Sequence, residues 1–352
     1  FVKLDITVLR LSGKMKKSER QKTIEALMNH ECSIVVGTHA LFQKTVCFKQ
    51  LGLIIIDEQH RFGVEQRLKL KQKGENETLI PHQLLMTATP IPRTLAMTQL
   101  AHLDISVLNE LPPGRTPVMT AVINQEKRQT IIERLQAAIL QGRQAYWVCT
   151  LIEESEKLQC MAAVETAQTL QAQLSGVHVG LIHGRMSAPE KETIMRAFKA
   201  GDINLLVATT VIEVGVDVAN ASLMIIENAE RLGLSQLHQL RGRVGRDNSQ
   251  SHCLLLYQPP LSFVGQERLR IMRKTTDGFA IAEQDMALRG SGDVLGVRQT
   301  GYHSYRIADL RRDGDMLAQI AKKSAKLVAK KPELAIKIAK LWRGEFEQFL
   351  QG

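Results

Sequence analysis

The sequence has no long hydrophobic run and few aromatic residues, which make up 4% of its 352 residues. Its longest apolar runs, such as Leu51–Ile56, are far shorter than the roughly 20 residues that a membrane span needs. With 44% hydrophobic and 23% charged residues, the composition also excludes disordered and fibrous classes. We therefore expect a globular chain of two or three domains.

Paired cysteines and an amino-terminal signal are also missing. The five cysteines are scattered and none has C-x-x-C spacing: Cys32, Cys47, Cys149, Cys160 and Cys253. This pattern disfavours a disulfide scaffold or a zinc ribbon and favours a reducing cytoplasm. The chain begins at Phe1 without a signal peptide, and we expect it to be a piece of a longer protein.

An excess of basic residues is present. Lys and Arg number 46 against 36 Asp and Glu, a formal net charge of +10. Residues 303–352 carry 11 Lys and Arg and 6 Asp and Glu, which is half of that excess. Such a balance is compatible with a polyanionic partner. In the tail, lysines at helical spacing indicate either the solvated face of a packed helix or a surface that tracks DNA.

Short runs rich in Val and Ile alternate with helical patterns, which predicts a doubly wound α/β architecture with a parallel sheet. The predicted strands are Ile6–Leu11, Ser33–Thr38, Leu51–Asp57, Gln83–Thr87, Ala145–Thr150, Val177–His183, Leu205–Thr209, Leu223–Glu227 and Cys253–Tyr257. The predicted helices include Ser18–Asn29, Glu126–Gln141, Ser155–Leu174 and Pro189–Ala200, the last opened by a capping box of Ser187 and Glu190. A linker is expected near residue 115, and helices are expected to dominate after residues 258–260.

The first chemical signal is an apolar strand that ends in two acidic residues. Residues 54–60 read IIIDEQH, so Asp57 and Glu58 follow directly on a predicted strand. Ligands of α/β proteins bind at the carboxyl edge of the sheet. Two carboxylates there can hold Mg²⁺, mostly through water, and polarise an attacking water. The alternative is a strand that ends in a solvated acidic loop.

Three further stretches place hydroxyl groups, glycines or arginines beside predicted strands and helices. Residues 87–94 read TATPIPRT. This is a stiff turn that could couple a nucleotide site to a neighbouring surface, and the alternative is an ordinary proline-rich turn. Residues 206–217 read LVATTVIEVGVD, a strand followed by hydroxyls and a tight loop. Residues 236–246 read QLHQLRGRVGR. Its arginines are difficult to explain as core residues, and the guanidinium of each can bind two phosphate oxygens at once. A generic basic loop is the alternative for the last stretch.

In this order and at these separations, the four stretches resemble motifs II, III, V and VI of superfamily-two helicases and translocases. Further stretches resemble the RecG family of bacterial branched-DNA helicases: 57–64 (DEQHRFGV), 112–117 (PPGRTP), 146–155 (YWVCTLIEES) and 183–186 (HGRM). The resemblance covers essentially the whole chain. It implies two RecA-like parallel-sheet lobes, the first of them incomplete, then a helical hairpin and C-terminal helices. The implied domains are a truncated ATP-binding lobe (1–115), a C-terminal helicase lobe (116–258), a translocation hairpin and loop (259–302) and a basic helical tail (303–352).

The resemblance also implies residue roles in a site that uses ATP and Mg²⁺. Asp57 would bind Mg²⁺ through water, Glu58 would assist as a ligand and act as catalytic base, and Arg243 and Arg246 match arginine-finger positions. The arginines of residues 241–246 are thereby assigned to ATP phosphates rather than to DNA. Nucleotide binding or coupling is expected of Gln59, His60, Thr87, Thr89, Gly215, Asp217 and Gln239. Contact with DNA is expected of His183, Arg185, Thr209 and Thr210.

Residues 287–301 read ALRGSGDVLGVRQTG and resemble the translocation hairpin shared by RecG and the transcription-repair coupling factor. Arg289, Arg298 and Gln299 would link closure of the lobes to stepping along duplex DNA. A glycine-rich loop that only caps the helices is the alternative.

The phosphate-binding P-loop, G-x-x-x-x-G-K-[ST], does not occur in the sequence. The stretch SGKM at residues 12–15 fails because Met15 stands where the hydroxyl is needed. In the family, that loop and an oligonucleotide-fold wedge domain lie upstream of the matched part. We therefore expect this chain alone to show no appreciable ATPase or unwinding activity.

The implied function is that of an ATP-dependent DNA helicase and translocase. It would remodel branched double-stranded DNA, namely stalled replication forks and Holliday junctions, in recombination and repair, as a monomer in the bacterial cytoplasm without a membrane. One alternative is a fragment of the transcription-repair coupling translocase, which shares these motifs. Another is a non-catalytic nucleic-acid-binding fragment, supported mainly by the basic charge. A DEAD-box RNA helicase is disfavoured because Gln59 and His60 stand where that family has Ala and Asp.

Overall fold

The computed structural model describes residues 6–13, 15–59, 62–74, 80–88, 103–108, 110, 116–150, 156–213, 218, 220–245, 250–294 and 310–343. The chain forms two compact units, one of Phe1–Ala88 with Lys326–Gly352 and one of Thr89–Ala325. Each unit has its own clusters of buried hydrophobic side chains.

The first unit contains two small parallel sheets. Their elements, in chain order, are β1 (Val8–Leu11), α1 (Lys17–Asn29), β2 (Ile34–Gly37), β3 (Leu53–Ile56), α2 (Val64–Gln72) and β4 (His82–Leu85). Strand β1 pairs with β2, and β3 pairs with β4 with Ile56 opposite Leu85. The predicted strands and the first predicted helix are therefore present, each with slightly different ends.

Among the described residues, those packed on the β3–β4 sheet cover one of its faces. Ile54 and Ile56 of β3 are each 4% exposed and pack with Leu70 of α2. The alternate side chains point the other way, and Leu53 and Ile55 are 55% and 56% exposed. Parallel sheets normally bury both faces under helices. This sheet therefore has a bare apolar side.

The second unit is built on a six-stranded parallel sheet with the strand order β5-β10-β9-β6-β8-β7. Its strands are β5 (Met119–Asn124), β6 (Gln144–Val148), β7 (Val179–Ile182), β8 (Leu205–Ala208), β9 (Ala221–Ile226) and β10 (His252–Tyr257). The helices between them are α3 (Arg128–Leu140), α4 (Glu156–Gln173), α5 (Ala188–Ala200) and α6 (Leu234–Arg241).

Alternation of side chains along the strands divides the core of this unit into two layers. On β6, Tyr146 and Val148 face the cluster that includes α5 and α6, whereas Ala145 and Trp147 face the cluster that includes α3 and α4. Trp147 is 0% exposed and Tyr146 is 2% exposed. Helices thus cover both faces, which makes the strand ends, rather than the strand faces, the places where a ligand can bind.

After the sheet, the described chain is helical. The elements are α7 (Phe263–Lys274), α8 (Gly278–Val294), α9 (Leu310–Asp313), α10 (Leu317–Lys330) and α11 (Pro332–Arg343). Helices α10 and α11 expose their lysines and also apolar side chains such as Ile320 and Leu341, which are 50% and 81% exposed. Among the described residues, no helix is both long and apolar enough to cross a membrane.

The predicted parallel α/β fold is confirmed, together with the change to helices after residue 260. The capping box is confirmed too, because Glu190 Oε2 accepts the N–H of Ser187 at 2.7 Å and Ser187 Oγ accepts the N–H of Glu190 at 3.5 Å. Strand β5 was not predicted, because its sequence, MTAVIN, mixes polar and apolar residues at an edge of the sheet. The predicted linker near residue 115 falls on residues 111–115, which lie outside the described residues.

Candidate functional site

The carboxyl ends of β3 and β4 bring the first two predicted motifs together. The two strands are parallel neighbours, so Asp57 and Glu58 follow β3 at the same sheet edge at which Thr87 follows β4. The backbone locks this edge, since Met86 N–H donates to Ile56 O at 2.8 Å and Gln59 N–H donates to Met86 O at 3.0 Å. Of the predicted nucleotide-side residues, Asp57, Glu58, Gln59 and Thr87 thus lie on two adjacent turns.

The turn after β3 has an unusual backbone at Glu58. Its φ is +51°, in the left-handed region, and Asp57 Oδ1 accepts the Glu58 N–H at 2.8 Å. A residue with a side chain held there costs on the order of 1 kcal/mol, and such strain is concentrated at functional sites. The Asp57 side chain is exposed and that of Glu58 is half-buried. The strain therefore falls on the residue expected to be the catalytic base.

The donor set at this edge suits Mg²⁺ bound mainly through water. Mg²⁺ prefers hard oxygen ligands and commonly takes one or two carboxylates plus waters and substrate phosphates. Asp57 and Glu58 offer two carboxylates, and the described residues contain no group of three or more His, Cys, Asp or Glu arranged for a metal ion. The residues present fit a partly hydrated ion and do not form an all-protein cage.

In the second unit, the carboxyl ends of β7 and β8 bring together the residues predicted to contact DNA. His183 follows β7, Thr209 follows β8, and Thr209 N–H donates to Ile182 O at 3.2 Å. Thr210 begins a 3₁₀ turn, Thr210–Glu213. Arg185 is exposed, whereas Thr209 is only 3% exposed. The two threonines therefore differ in their access to a ligand, and Thr210 is the more open.

A cavity of about 470 Å³ opens beside this edge. Its lining comes from α4 and the turn after β7: Cys160, Met161, Val164, Glu165, Gln168, His183 and Arg185. His183 Nδ1 is buried and has no hydrogen-bond partner among the described residues. The lining thus combines apolar groups of α4 with the polar Glu165 and Gln168 and with the basic side chains of His183 and Arg185.

The arginine-rich stretch forms the end of α6 and the turn that follows it. Gln239 lies on α6, and Arg243 lies in the turn, where its N–H donates to Leu240 O at 3.0 Å. Gly245 has φ +77°, and a Cβ there would lie 2.7 Å from Val118 Cγ2. Only glycine fits both the conformation and the space. The turn immediately before Arg246 in the sequence is therefore fixed by packing on Val118.

The expectation that all arginines of residues 241–246 face phosphates is wrong for Arg241. Its side chain is buried, with 3% exposed, and Nη1 donates to Met272 O and to Thr275 O, both at 2.9 Å. Burial lowers the pKa of the Arg241 guanidinium below its usual value. An arginine can enter a core when carbonyl groups satisfy its N–H donors. Sequence pattern alone does not reveal those carbonyls.

A second feature that the sequence did not reveal lies at the carboxyl edge of β6 and β9. Arg128 Nε donates to Glu227 Oε1 at 2.7 Å, and the guanidinium lies 5.1 Å from the ring centroid of Trp147. Thr150 Oγ1 donates to Glu227 O at 2.8 Å. The partners of the ion pair are 99 residues apart in the chain, so no local pattern could have joined them.

Several predicted site residues lie outside the described residues: His60, Thr89, Gly215, Asp217, Arg246, Arg298 and Gln299. Arg289 belongs to α8, but its side chain is likewise not described.

Three family models match successive parts of the chain. Residues 2–98 match the DEAD/DEAH box helicase model, and residues 126–248 match the helicase conserved C-terminal domain. Residues 275–346 match the model described as ATP-dependent DNA helicase RecG, domain 3, C-terminal. The order of the three models agrees with the order of the motifs.

Individual relatives point to one family. The chain is 54% identical to ATP-dependent DNA helicase RecG of Pasteurella multocida over 348 residues, which are 99% of this chain and 50% of the relative. It is 54% identical to the same helicase of Escherichia coli K12 over 350 residues, again 99% and 50%. A solved structure of RecG bound to a three-way DNA junction matches with a TM-score of 0.66 and 42% identity, covering 89% of this chain and 40% of that one. The chain spans about half the length of these curated relatives, and it is similar to RecG helicases over nearly all of its own length.

Proposed function

We propose that this chain supplies the later helicase motifs of an ATP-dependent helicase and translocase that acts on branched double-stranded DNA. The observation that carries the proposal is the shared edge of β3 and β4, where Asp57, Glu58 and Thr87 meet in a chain 54% identical to curated RecG helicases. The substrates would be stalled forks and Holliday junctions, in recombination and repair. The protein would act as a monomer in the bacterial cytoplasm.

Hydrolysis of ATP at this edge needs a base and charge stabilisation. Glu58 would take the proton of the attacking water. Asp57 would hold Mg²⁺ through water, and the bound ion would supply neutralisation of charge on the phosphates. Arg243 and Arg246 stabilise the charge that develops on the transferred phosphoryl group. Nucleotide binding and its coupling to movement fall to Gln59, His60, Thr87, Thr89, Gly215, Asp217 and Gln239.

Contact with DNA is assigned to the edge of β7 and β8 and to the hairpin. Arg185 is exposed and Thr210 is half-buried at that edge, and His183 lines the cavity beside it. Phosphate oxygens are acceptors that such donors bind without regard to base sequence. Arg289, Arg298 and Gln299 would then carry the stepping along the duplex.

The site requires a phosphate cradle that this sequence does not contain. The bare face of β3, with Leu53 and Ile55 more than half exposed, supports a role for further residues that complete the first lobe. We assign that lobe to residues 1–115, the second lobe to 116–258, the hairpin and loop to 259–302 and the tail to 303–352. The helicase C-terminal match at residues 126–248 falls within the proposed second lobe, whereas the RecG match at residues 275–346 spans both the hairpin and the tail.

The test measures DNA-stimulated ATPase and fork unwinding by a full-length protein that carries these residues. We expect Glu58→Gln to abolish turnover but to keep nucleotide and fork binding. The matched control is Glu65→Gln on α2, where the exposed Glu65 pairs with Lys69 at 3.6 Å; it should leave both activities unchanged. The 352-residue chain alone should hydrolyse no ATP above background.

Several outcomes would contradict the proposal. ATP turnover that survives Glu58→Gln would contradict the assignment of Glu58 as the catalytic base. Salt-dependent binding that does not distinguish forked from linear DNA would favour a non-catalytic nucleic-acid-binding protein. Measurable ATPase of the chain alone would show that a P-loop is not required.

A further inference from the structure

Arg67 reaches back from α2 to the turn that carries the two acidic residues. It lies in the first turn of the helix and is half-buried. Its Nη1 donates to Phe62 O at 3.1 Å and to Gln59 O at 3.4 Å. These carbonyls belong to the two ends of the short segment that directly follows Asp57 and Glu58 in the chain. One guanidinium thus closes this segment from the side of the helix.

The helix from which Arg67 reaches is fixed on β3. Leu70 of α2 is 7% exposed and packs with Ile54 and Ile56 of that strand. Because residues three apart in a helix lie on the same side, Arg67 projects from the anchored side of α2. The guanidinium therefore ties the turn to a helix that is itself held on the strand from which the turn departs.

The turn after β3 requires such constraints because its backbone is strained. Glu58 has a φ of +51°, in the left-handed region that residues with a side chain rarely adopt. A conformation of this kind persists only where the surrounding structure over-determines it. On the β4 side, Gln59 N–H donates to Met86 O, and within the turn Phe62 N–H donates to Gln59 O, both at 3.0 Å. Arg67 supplies the constraint on the α2 side.

The side chain of Phe62 is held independently of Arg67. Its ring centroid lies 4.7 Å from that of His39 and 5.1 Å from that of Phe42, two residues of the 3₁₀ turn His39–Phe42 after β2. Ring pairs at such distances are favourable. Loss of the guanidinium therefore releases the backbone of the turn and leaves the packing of the Phe62 ring in place.

We propose that Arg67 is a positioning residue for Glu58, which holds the turn after β3 in the strained conformation that aims the Glu58 carboxylate at the attacking water. The inference rests on the proposed function. Without the two bonds from Arg67, the backbone at Glu58 can relax out of the left-handed region, and the carboxylate shifts with it. A displacement of about 1 Å at a reacting group can lower a rate about a hundredfold. Arg67 acts through the backbone and is assigned no contact with the nucleotide.

The test measures kcat and KM of the DNA-stimulated ATPase in a full-length protein that carries these residues. In Arg67→Ala we expect kcat to fall at least about tenfold and the KM for ATP to stay within about twofold, because the change affects the transition state and not the binding of ATP. Millimolar guanidinium ion, which can donate to the same two carbonyls, should restore part of the lost kcat. The matched control is Lys69→Ala on α2, whose side chain is 61% exposed; its kcat should be normal and should not rise with guanidinium.

Each result decides the inference. A normal kcat in Arg67→Ala overturns it, and so does a loss of kcat that guanidinium leaves unchanged or that comes with an equal loss of ATP binding. If Arg67→Ala fails to fold, as judged by its melting curve, Arg67→Lys decides. Its shorter side chain keeps the charge but loses the reach of a guanidinium, so we expect at least about threefold lower kcat at unchanged KM, and a normal kcat overturns the inference.

Glu58→Gln separates this inference from the proposed function. Full ATP turnover in Glu58→Gln would overturn both, because there would be no catalytic base at Glu58 to position. An inactive Glu58→Gln beside a fully active Arg67→Ala would overturn only the role of Arg67.

Discussion

Arg128 Nε donates to Glu227 Oε1 at 2.7 Å at the carboxyl edge of the six-stranded sheet, and the Arg128 guanidinium lies 5.1 Å from the ring centroid of Trp147. The Glu227 side chain is 10% exposed and that of Arg128 is 25% exposed, so water screens the pair only in part. Through Thr150, which donates to Glu227 O, the pair also fixes the end of β6.

Glu227→Gln should destabilise the second unit by about 2 kcal/mol, because it leaves the Arg128 charge without its carboxylate in a partly buried place. Thermal and denaturant unfolding of the chain measure the change. The matched control is Glu192→Gln on α5, where both partners of the ion pair with Arg196 are at least 75% exposed; it should cost less than about 0.5 kcal/mol. Equal effects of the two changes would contradict a structural role of the buried pair.

Gly245→Ala should cost more stability than Gly142→Ala, although both glycines have positive φ, +77° and +90°. At Gly142 no atom lies within 4 Å of the added Cβ, so the change costs about 1 kcal/mol of backbone strain. At Gly245 the clash with Val118 adds about 1–3 kcal/mol. Denaturant unfolding compares the two variants, and the double variant Gly245→Ala with Val118→Ala should recover part of the loss. No difference between the single variants would contradict the packing argument.

Native-state alkylation at pH 8 should modify Cys47, which is exposed, and spare Cys149 and Cys253. Burial raises the pKa of each of these two thiols to about 12, so almost no thiolate is available. Because the folded pKa lies above the unfolded value, these thiols add stability below about pH 9, and the contribution is lost as pH rises from 9 towards 12. Mass spectrometry after timed alkylation gives the order of reaction. Early modification of Cys149 or Cys253 would contradict the burial of these two thiols.

Arg246→Ala in the full-length protein should abolish ATP turnover and leave affinity for branched DNA largely intact. An arginine at the developing phosphoryl charge is worth about 10³–10⁵ in rate, or roughly 4–7 kcal/mol. Steady-state ATPase and fork-binding titrations measure the two effects, with Arg196→Ala on the exposed face of α5 as the control. Near-normal ATPase activity in Arg246→Ala would contradict the assignment of Arg246 as an arginine finger.

Arg298→Ala combined with Gln299→Ala should lower the number of base pairs unwound per ATP while ATP hydrolysis continues. The pair is assigned to coupling rather than to hydrolysis, so the two measurements should separate. The control is Arg134→Ala combined with Gln141→Ala. Both side chains are exposed, the first on α3 and the second directly after it. Fork unwinding at the normal ratio in the Arg298 and Gln299 variant would contradict the coupling role.

Much of the fold could be predicted from the sequence because period and composition are local. Strands such as β6 and β9 are continuous apolar runs, as expected of strands buried on both faces, and Ser187 with Glu190 marked the start of α5. Strand β5 lacked such a run, and at the edge of the sheet its residues are exposed or half-buried.

The candidate site could be predicted in part. Asp57, Glu58 and Thr87 could be placed together because the carboxyl ends of parallel strands meet at one edge. Arg241 could not be placed, because its burial depends on carbonyls that lie 31 and 34 residues further along the chain. The ion pair of Arg128 and Glu227 depends on a still more distant contact. A charged residue in a sequence does not show what will surround it.

The exposed apolar face of β3 and β4 has a consequence for the association of this polypeptide with other chains and for its recognition by chaperones and proteases. In the described chain each of these strands pairs only with the other, so open strand edges accompany the exposed Leu53, Ile55 and Leu84. Apolar surface beside unpaired edges promotes association between chains and is what chaperones and proteases bind in unfinished proteins. We therefore expect chaperones and proteases to act on the polypeptide alone at β3 and β4 rather than at the buried core of its second unit.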